Sequence, residues 1–339
     1  MDSQREFEII KDFSEEIVNE DGLKDALESI KKGGEVVAYD GFEPSGVAPI
    51  HFGLLRAANL KKMLNAGIKF KLFLADYFGM INNKLGGNLK DIQTAGKYFI
   101  EVWKACGIDT SSVEIVWASE NMNSLEYWDK VLNIAKQTSF NRTKKSLTIA
   151  GRSSTEKINS AQLFYPSMQV ADIFHLNVSV CQMGMDQRRA NMLARDVAEK
   201  LNWKKPIAVH HHILLGLQGK QEKETKEETL MASKMSKSNP KSCIYMHDTY
   251  KELKDKLSRA YCPESIVDGN PVLEYFRYII FEYVDKVKIK RPKKFGGDVE
   301  YENYKDLEKD FVDKKLHPLD LKNACADELE KLIKPVREY

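Results

Sequence analysis

"EVVAYDGFEPSGVAPIHFGLLRAANLKKMLNAGIKFKLFLAD", residues 35–76, decides the fold. "EVVAYDGF" is short, apolar and follows Gly33-Gly34, so it reads as a buried strand. "EPSGVAPIHFG" reads as a loop. Leu54, Ala57, Ala58, Met63 and Leu64 then recur at helical spacing until Gly67. "FKLFLAD" is a second strand. Strand, loop, helix, strand is a βαβ unit, which requires a parallel sheet.

The pattern continues outward. Residues 7–31 show helical spacing, and 89–150 read as mostly helical around one strand-like piece, "VEIVWAS". "LFYPSMQVADIF" reads as a helix, with Pro166 placed in its first turn. "SVCQMGMDQRRANMLARDVAEKL" reads as a strand, a tight turn at Gly184 and a helix from about Asp186. "PIAVHHHIL" is one more strand. After Gly219 about a dozen hydrophilic residues read as a mobile linker. Beyond Thr249 the pattern is helical, punctuated at "CPES", "DGNP", "KRPKKFGGD" and "LHPLD". The fold class expected is α/β: a doubly wound, Rossmann-like parallel sheet over residues 1–230, with a helical insertion at roughly 100–160. A smaller, mainly α-helical domain follows at 231–339.

Composition narrows the function. The 339 residues are 42% hydrophobic and 30% charged, with a net charge of +2, which fits a globular chain with no general attraction to polyanions. No apolar run is long enough to span a bilayer. The acidic, amphipathic start lacks the marks of a secretory or organellar leader, so a cytoplasmic location is expected. Five scattered cysteines without a Cys-x-x-Cys pair read as reduced thiols. His210-His211-His212 alternate faces if they lie on a strand, so a strand end is preferred to a metal site, and no metal ligands are assigned.

Three groups of residues carry chemistry. His51 and Gly53 stand at the mouth of the helix after the first strand, where free N–H groups and the helix dipole attract anions. Taken singly, a histidine beside a helix start is more often a capping or packing residue. Lys234-Met235-Ser236-Lys237-Ser238 places two ammonium groups and two hydroxyls on one loop. Such a loop suits a triphosphate whose charge moves toward its leaving group. An ordinary solvated Lys/Ser linker is the plain alternative. Tyr165, Gln169 and Asp172 share one helical face, and with Tyr39, Asp186 and Gln187 they fall where doubly wound sheets bind ligands.

Together these residues resemble the class I aminoacyl-tRNA synthetases. The Lys-Met-Ser-Lys-Ser signature is complete at 234–238. The His-x-Gly-His signature keeps His51 and Gly53, with Leu54 in place of the second histidine. "YDGFEPSG", "LFLAD", "YPSMQVADI", "MGMDQR", "RPKKFGGD" and "LHPLDLKNA" are similar to tyrosyl-tRNA synthetases of the archaeal and eukaryotic type, in order, from about residue 30 onward. The charged stretch 220–232 is longer than that resemblance leads one to expect.

The resemblance implies tyrosine–tRNA ligase activity in two steps: L-tyrosine and ATP give tyrosyl-adenylate and pyrophosphate, and the tyrosyl group then passes to the 3′ end of tRNA(Tyr). It implies that Tyr39 and Asp172 grip the phenolic hydroxyl. Tyr165, Gln169 and Gln187 hold the α-amino group and orient the carboxylate, and Gly41, Glu43 and Ala75 line the same pocket. Gly184 and Asp186 meet the ATP ribose. His51, Gly53, Lys234, Ser236 and Lys237 meet the nucleotide and its phosphates. Phe295, His317 and Asp320 read the first anticodon base, with "KVKIKRPKK" as a basic edge for RNA phosphates. Mg²⁺ is expected with ATP, without a dedicated protein site. A homodimer is implied, with the insertion at its interface. The alternatives are a tryptophan–tRNA ligase of the same fold, a synthetase-like binding module that has lost catalysis, and a nucleotidyltransferase of cofactor synthesis.

Overall fold

A computed structural model describes residues 2–147, 159–235 and 239–339, and backbone alone at 227 and 295. The chain forms two compact units. The first comprises Met1–Gly46, Asn59–Glu101 and Asp109–His212, and the second Val47–Ala58, Val102–Ile108 and Ile213–Tyr339.

The first unit opens with α1 (Ser3–Phe13), β1 (Ser14–Val18), α2 (Glu20–Lys31) and β2 (Val37–Phe42). Helix α3 (Arg56–Asn65) leads to β3 (Lys69–Leu74), α4 (Asp76–Ile81), α5 (Leu89–Ala105) and β4 (Val113–Trp117). Then come α6 (Ala118–Asn121), α7 (Leu125–Gln137), α8 (Phe140–Ser146), α9 (Ser160–His175), β5 (Val180–Gly184), α10 (Arg188–Lys200) and β6 (Ile207–His211). The six strands lie in the order β1-β6-β5-β2-β3-β4. Every neighbouring pair is parallel except β1 with β6.

The parallel strands therefore wind outward in both directions from β2. Ligands in such sheets bind where the winding reverses, here between β2 and β5. These two strands pair only at Ala38↔Val180 and Tyr39↔Cys181, whereas β2 and β3 pair along Val37–Phe42. The sheet thus splays open beyond Tyr39. Its core includes Tyr39, Phe73, Phe78, Tyr127, Met168, Ile173 and Met183, so the walls of the opening are themselves core side chains.

Four expectations need correction. Residues 7–31 are two helices separated by β1, because Glu15 and Glu16 find distant partners on the strand end His210–His212. No local periodicity announces a strand held that way. Pro166 lies seven residues into α9, past its first turn, and the Asn159/Gln162 capping box starts that helix instead. Strand β4, inside the stretch expected as an insertion, belongs to the main sheet. The expected linker at 220–232 contains α11 (Lys226–Ser233), started by a second capping box, Thr225 with Glu228. That signature was visible in "TKEE".

The second unit adds α12 (Tyr250–Ser258), α13 (Pro271–Tyr275), α14 (Phe281–Tyr283), α15 (Tyr304–Val312) and α16 (Pro318–Arg337). An antiparallel pair, β7 (Val287–Ile289) with β8 (Val299–Tyr301), lies among them. The loop before α3 is fastened within this unit. Pro49 bridges Tyr245, Ile50 N donates to Ile244 O at 2.9 Å, and Met246 N donates to Ala48 O at 2.9 Å.

Candidate active site

In the first unit the splayed edge of β2 meets α9. Tyr39 and Asp172 are both buried, at 1% exposure. The Tyr39 hydroxyl has no hydrogen-bond partner. Burial drives its pKa far up, with Cys181 and the Asp172 charge adding to the effect. Burial likewise lifts the Asp172 carboxyl well above the usual range, while the Tyr127 hydroxyl and the Asn121 amide pull it down. Asn121 Nδ2 donates to Asp172 Oδ1 at 3.1 Å. An orphaned buried hydroxyl costs about 1–3 kcal/mol, so its persistence beside a buried carboxyl marks a place suited to a polar ligand group.

A direct consequence follows for Tyr39→Phe. In the free protein nothing is lost when the orphan hydroxyl goes, so thermal stability should hold or rise. The KM for a phenolic substrate should increase about 10-fold, the worth of one hydrogen bond. Parallel melting curves and steady-state kinetics check both halves.

Around this pair, Gly41 has room. A Cβ built there would sit at ordinary contact distance, 3.6 Å from Phe73 and 3.8 Å from Met183. The protein's own packing does not demand glycine there. Ala75 is buried and caps α4, its N–H bonded to Phe42 O at 2.8 Å. Tyr165, Gln169 and Asp172 do share one buried face of α9. Tyr165 donates its hydroxyl to Glu43 Oε1 at 2.7 Å, and Asn82 Nδ2 reaches the same oxygen at 2.6 Å. Lys84 lies 3.4 Å from the other oxygen of Glu43. Gln169 donates to Gln187 Oε1 at 3.0 Å, while its own Oε1 is buried without a partner. Gly184 ends β5, and Asp186 and Gln187 form the turn Met185–Gln187 before α10.

Sequence reasoning overlooked the residues behind Asp172. Tyr127 is fully buried on α7 and donates to Met168 O at 3.2 Å. It and Asn121 fall in the stretch expected as an insertion, where no motif flagged them. Asp76 was quoted only as part of "LFLAD". Its completely buried carboxylate accepts from Tyr77 N, Ser119 N, Ser119 Oγ and Gln93 Nε2 at 2.6–2.9 Å. It ties the end of β3 to α5 and α6.

In the second unit, His51 begins a π-helical turn, His51–Leu55, that runs into α3. A Cβ on Gly53 would come within 2.5 Å of Met246 Sδ, so the close approach that requires glycine is to Met246. Leu54, at the second-histidine position, is a core side chain, and its carbonyl accepts from Tyr283 OH at 2.7 Å. Lys234 ends α11 with extended backbone, its N–H bonded to Leu230 O at 3.1 Å, and it bridges Leu215. Ser236 and Lys237 lie outside the described residues.

Farther along, Phe295 ends the turn Lys293–Phe295, and its side chain lies outside the described set. His317 caps α16, its Nδ1 accepting from Leu319 N at 3.1 Å, and Asp320 lies in the first turn of that helix. Arg291 donates to Gly297 O at 2.9 Å and to Lys315 O at 2.6 Å, which joins the Phe295 turn to the segment before His317. The basic edge is less free than expected. Lys286 pairs with Glu300, and Lys288 with Asp298 at 3.0 Å. The histidine run ends β6, with His210 and His211 buried and hydrogen-bonded. Among the described residues no cluster of three His, Cys, Asp or Glu side chains is placed to hold a metal.

A family model described as tRNA synthetases class I (W and Y) matches residues 31–334. Tyrosine–tRNA ligase 1, cytoplasmic, of Arabidopsis thaliana is 41% identical over 339 residues, covering 99% of this chain and 84% of the relative. The tyrosine–tRNA ligase of Sulfolobus acidocaldarius is 43% identical over 345 residues, covering 100% of this chain and 94% of the relative. The structure of tyrosyl-tRNA synthetase from Pyrococcus horikoshii, complexed with L-tyrosine, superposes with a TM-score of 0.91 at 40% identity, covering 100% of this chain and 96% of that one. With an open α/β sheet, a buried Tyr39 hydroxyl without a partner and this likeness over nearly its whole length, the chain belongs to the tyrosyl-tRNA synthetase family of class I aminoacyl-tRNA synthetases.

Proposed function

We propose that the chain activates L-tyrosine with ATP to tyrosyl-adenylate and pyrophosphate, and then transfers the tyrosyl group to the 3′ end of tRNA(Tyr). One observation carries the choice of amino acid: the unpartnered, buried Tyr39 hydroxyl beside the Asp172 carboxyl. A phenol donates to the carboxyl and accepts from the Tyr39 hydroxyl, which otherwise has no partner. An indole has a donor but no acceptor, so tryptophan leaves that hydroxyl unmet.

The chemistry is positioning and electrostatics. The tyrosine carboxylate attacks the α-phosphorus in line, the α–β phosphoanhydride bond breaks, and pyrophosphate leaves with its charge. No side chain forms a covalent bond. In this reading Tyr165, Gln169 and Gln187 orient the α-amino and carboxylate groups, and Gly41, Glu43 and Ala75 shape the pocket. Gly184 and Asp186 receive the ribose. His51, Gly53, Lys234, Ser236 and Lys237 meet the nucleotide and its phosphates. Mg²⁺ would travel with ATP as a counter-ion of its phosphates, and no step here is routed through it. Phe295, His317 and Asp320 would contact the anticodon.

ATP–pyrophosphate exchange with tyrosine, tryptophan and phenylalanine in parallel tests the proposal. Exchange with tyrosine alone is expected. Exchange with tryptophan would overturn the pocket assignment, and silence with all three would favour a binding module.

A homodimer and a cytoplasmic location are part of the reading. Leu125, Trp128 and Leu132 share one face of α7 and are exposed, Leu125 at 85% and Leu132 at 60%. Such a stripe is what a subunit interface buries. Leu132→Asp should halve the mass seen by light scattering at micromolar concentration. An unchanged mass would move the interface elsewhere. The location is supported by the Arabidopsis relative's name, and among the described residues no helix is long and apolar enough to cross a membrane.

A further inference from the structure

The turn Met185–Gln187 runs directly into α10 at Arg188. Arg188 Nε donates to both carboxylate oxygens of Glu16 on β1, at 3.1 and 2.8 Å. His210 Nδ1, on β6, lies 2.9 Å from Glu16 Oε2. The other ring nitrogen of His210 lies 3.0 Å from Asn191 Nδ2. Asn191 stands one turn after Arg188 on α10, so the path leaves that helix and returns to it through two strands.

The donors fit one assignment. The Asn191 amide nitrogen can only donate, so Nε2 accepts and Nδ1 carries the ring proton toward Glu16. Burial, which lowers the pKa of His210, agrees with a neutral ring. Burial also pushes the Glu16 carboxyl up, but Arg188 and His210 outweigh it and hold it below its ordinary range. Strand β6, which carries His210, packs against the turn that carries Asp186.

We propose that Glu16, Arg188 and His210 are positioning residues, through which the antiparallel strand β1 clamps the start of α10 and so sets the turn that carries Asp186. This rests on the reading that Asp186 receives the ATP ribose. It gives β1, the one antiparallel strand of the main sheet, a task in the reaction. Gln187 has a second anchor in Gln169, so loosening the clamp should weaken ATP more than tyrosine. Arg188 is 45% exposed, which limits the strength of the link.

Glu16→Gln in the full chain keeps the shape and removes the charge. In exchange kinetics its KM for ATP should rise about 2–5-fold, the upper range of a partly exposed ion pair. Its KM for tyrosine should stay within about 2-fold, and its melting temperature close to wild type. Glu15→Gln is the control. It removes the same charge from the same strand, but Glu15 faces His212, at 3.2 Å. It should leave both constants unchanged. Amide hydrogen exchange over residues 185–191 should quicken in Glu16→Gln and not in Glu15→Gln. If Glu16→Gln proves unstable, Arg188→Gln breaks the same link from the more exposed side and should quicken the same amides. Equal effects of the two strand variants, or unaltered exchange at 185–191, would overturn the clamp. Hydrogen exchange needs no turnover, so a wild-type protein inactive with tyrosine would sink the ligase reading and still leave the clamp to be judged.

Discussion

Asp172→Ala should lower kcat/KM for tyrosine activation by about 10²–10³-fold, the largest loss expected from any single pocket residue. The loss has two sources. A charged hydrogen bond to the phenol disappears, worth about 1.5–3 kcal/mol, and the substrate hydroxyl is then desolvated without an acceptor. Together they amount to about 3–4 kcal/mol. Discrimination against phenylalanine should fall with it. A site that hydrogen-bonds a hydroxyl rejects the analogue lacking it by about 10⁴–10⁵, a figure for which tyrosyl-tRNA synthetase is itself the usual example. Exchange kinetics with both amino acids would read the effect. Undiminished tyrosine activation in the variant would remove Asp172 from its role.

The same residue gives a stability prediction of opposite sign. Burial raises the Asp172 pKa in the fold, so the folded chain favours the neutral acid. Its contribution to stability is complete below the unfolded carboxyl's ordinary value and is lost as pH rises through the folded one. At neutral pH the charge therefore costs stability. Asp172→Asn removes that charge and should gain about 1–2 kcal/mol, seen as about 2–4 °C per kcal/mol in Tm, while activity falls. The gain should shrink as pH is lowered toward the carboxyl's usual range.

Lys234→Ala should reduce kcat for exchange by about 10²–10³-fold, with the KM for tyrosine changed less than about 3-fold. The reason is where charge appears. As the α–β bond breaks, negative charge gathers on pyrophosphate, and a placed ammonium is worth most at that moment. Placement is supplied by the backbone. The Lys234 N–H is held by Leu230 O, Ser233 O accepts from Gly216 N at 2.8 Å, and Leu215 N donates to the Glu274 carboxylate at 2.8 Å. The base of the lysine loop is thereby built into its unit. Lys234→Arg keeps the charge and should recover part of the rate. A variant that raises the KM for ATP alone and leaves kcat intact would show that Lys234 serves ground-state binding.

Much of this was legible before any coordinates. The βαβ reading of residues 35–76 needs only local periodicity and punctuation, and strands β2 and β3 fall where it puts them. The buried face of Tyr165, Gln169 and Asp172 follows from helical spacing. The lysine pair is a contiguous word. Each of these signals is carried by neighbours in the chain, so the amino-acid order suffices.

What sequence order does not contain is distance between remote segments. Asn121 and Tyr127 matter because folding brings them to a carboxyl on another helix, and neither is unusual where it stands in the chain. Strand β1 exists because Glu15 and Glu16 meet histidines nearly two hundred residues later. A side chain at Gly53 would run into Met246, far along the chain. The basic run at 286–294 loses part of its charge to acids on β8 and at the end of the intervening loop. The sequence alone determined the parallel strands of the sheet, the family and the polar groups proposed to meet the substrate. The tertiary structure alone decided which buried charges are paired, which hydroxyl is left unpaired and which strand steadies the turn, because the energy of a buried polar group depends on what lies within about 3 Å of it.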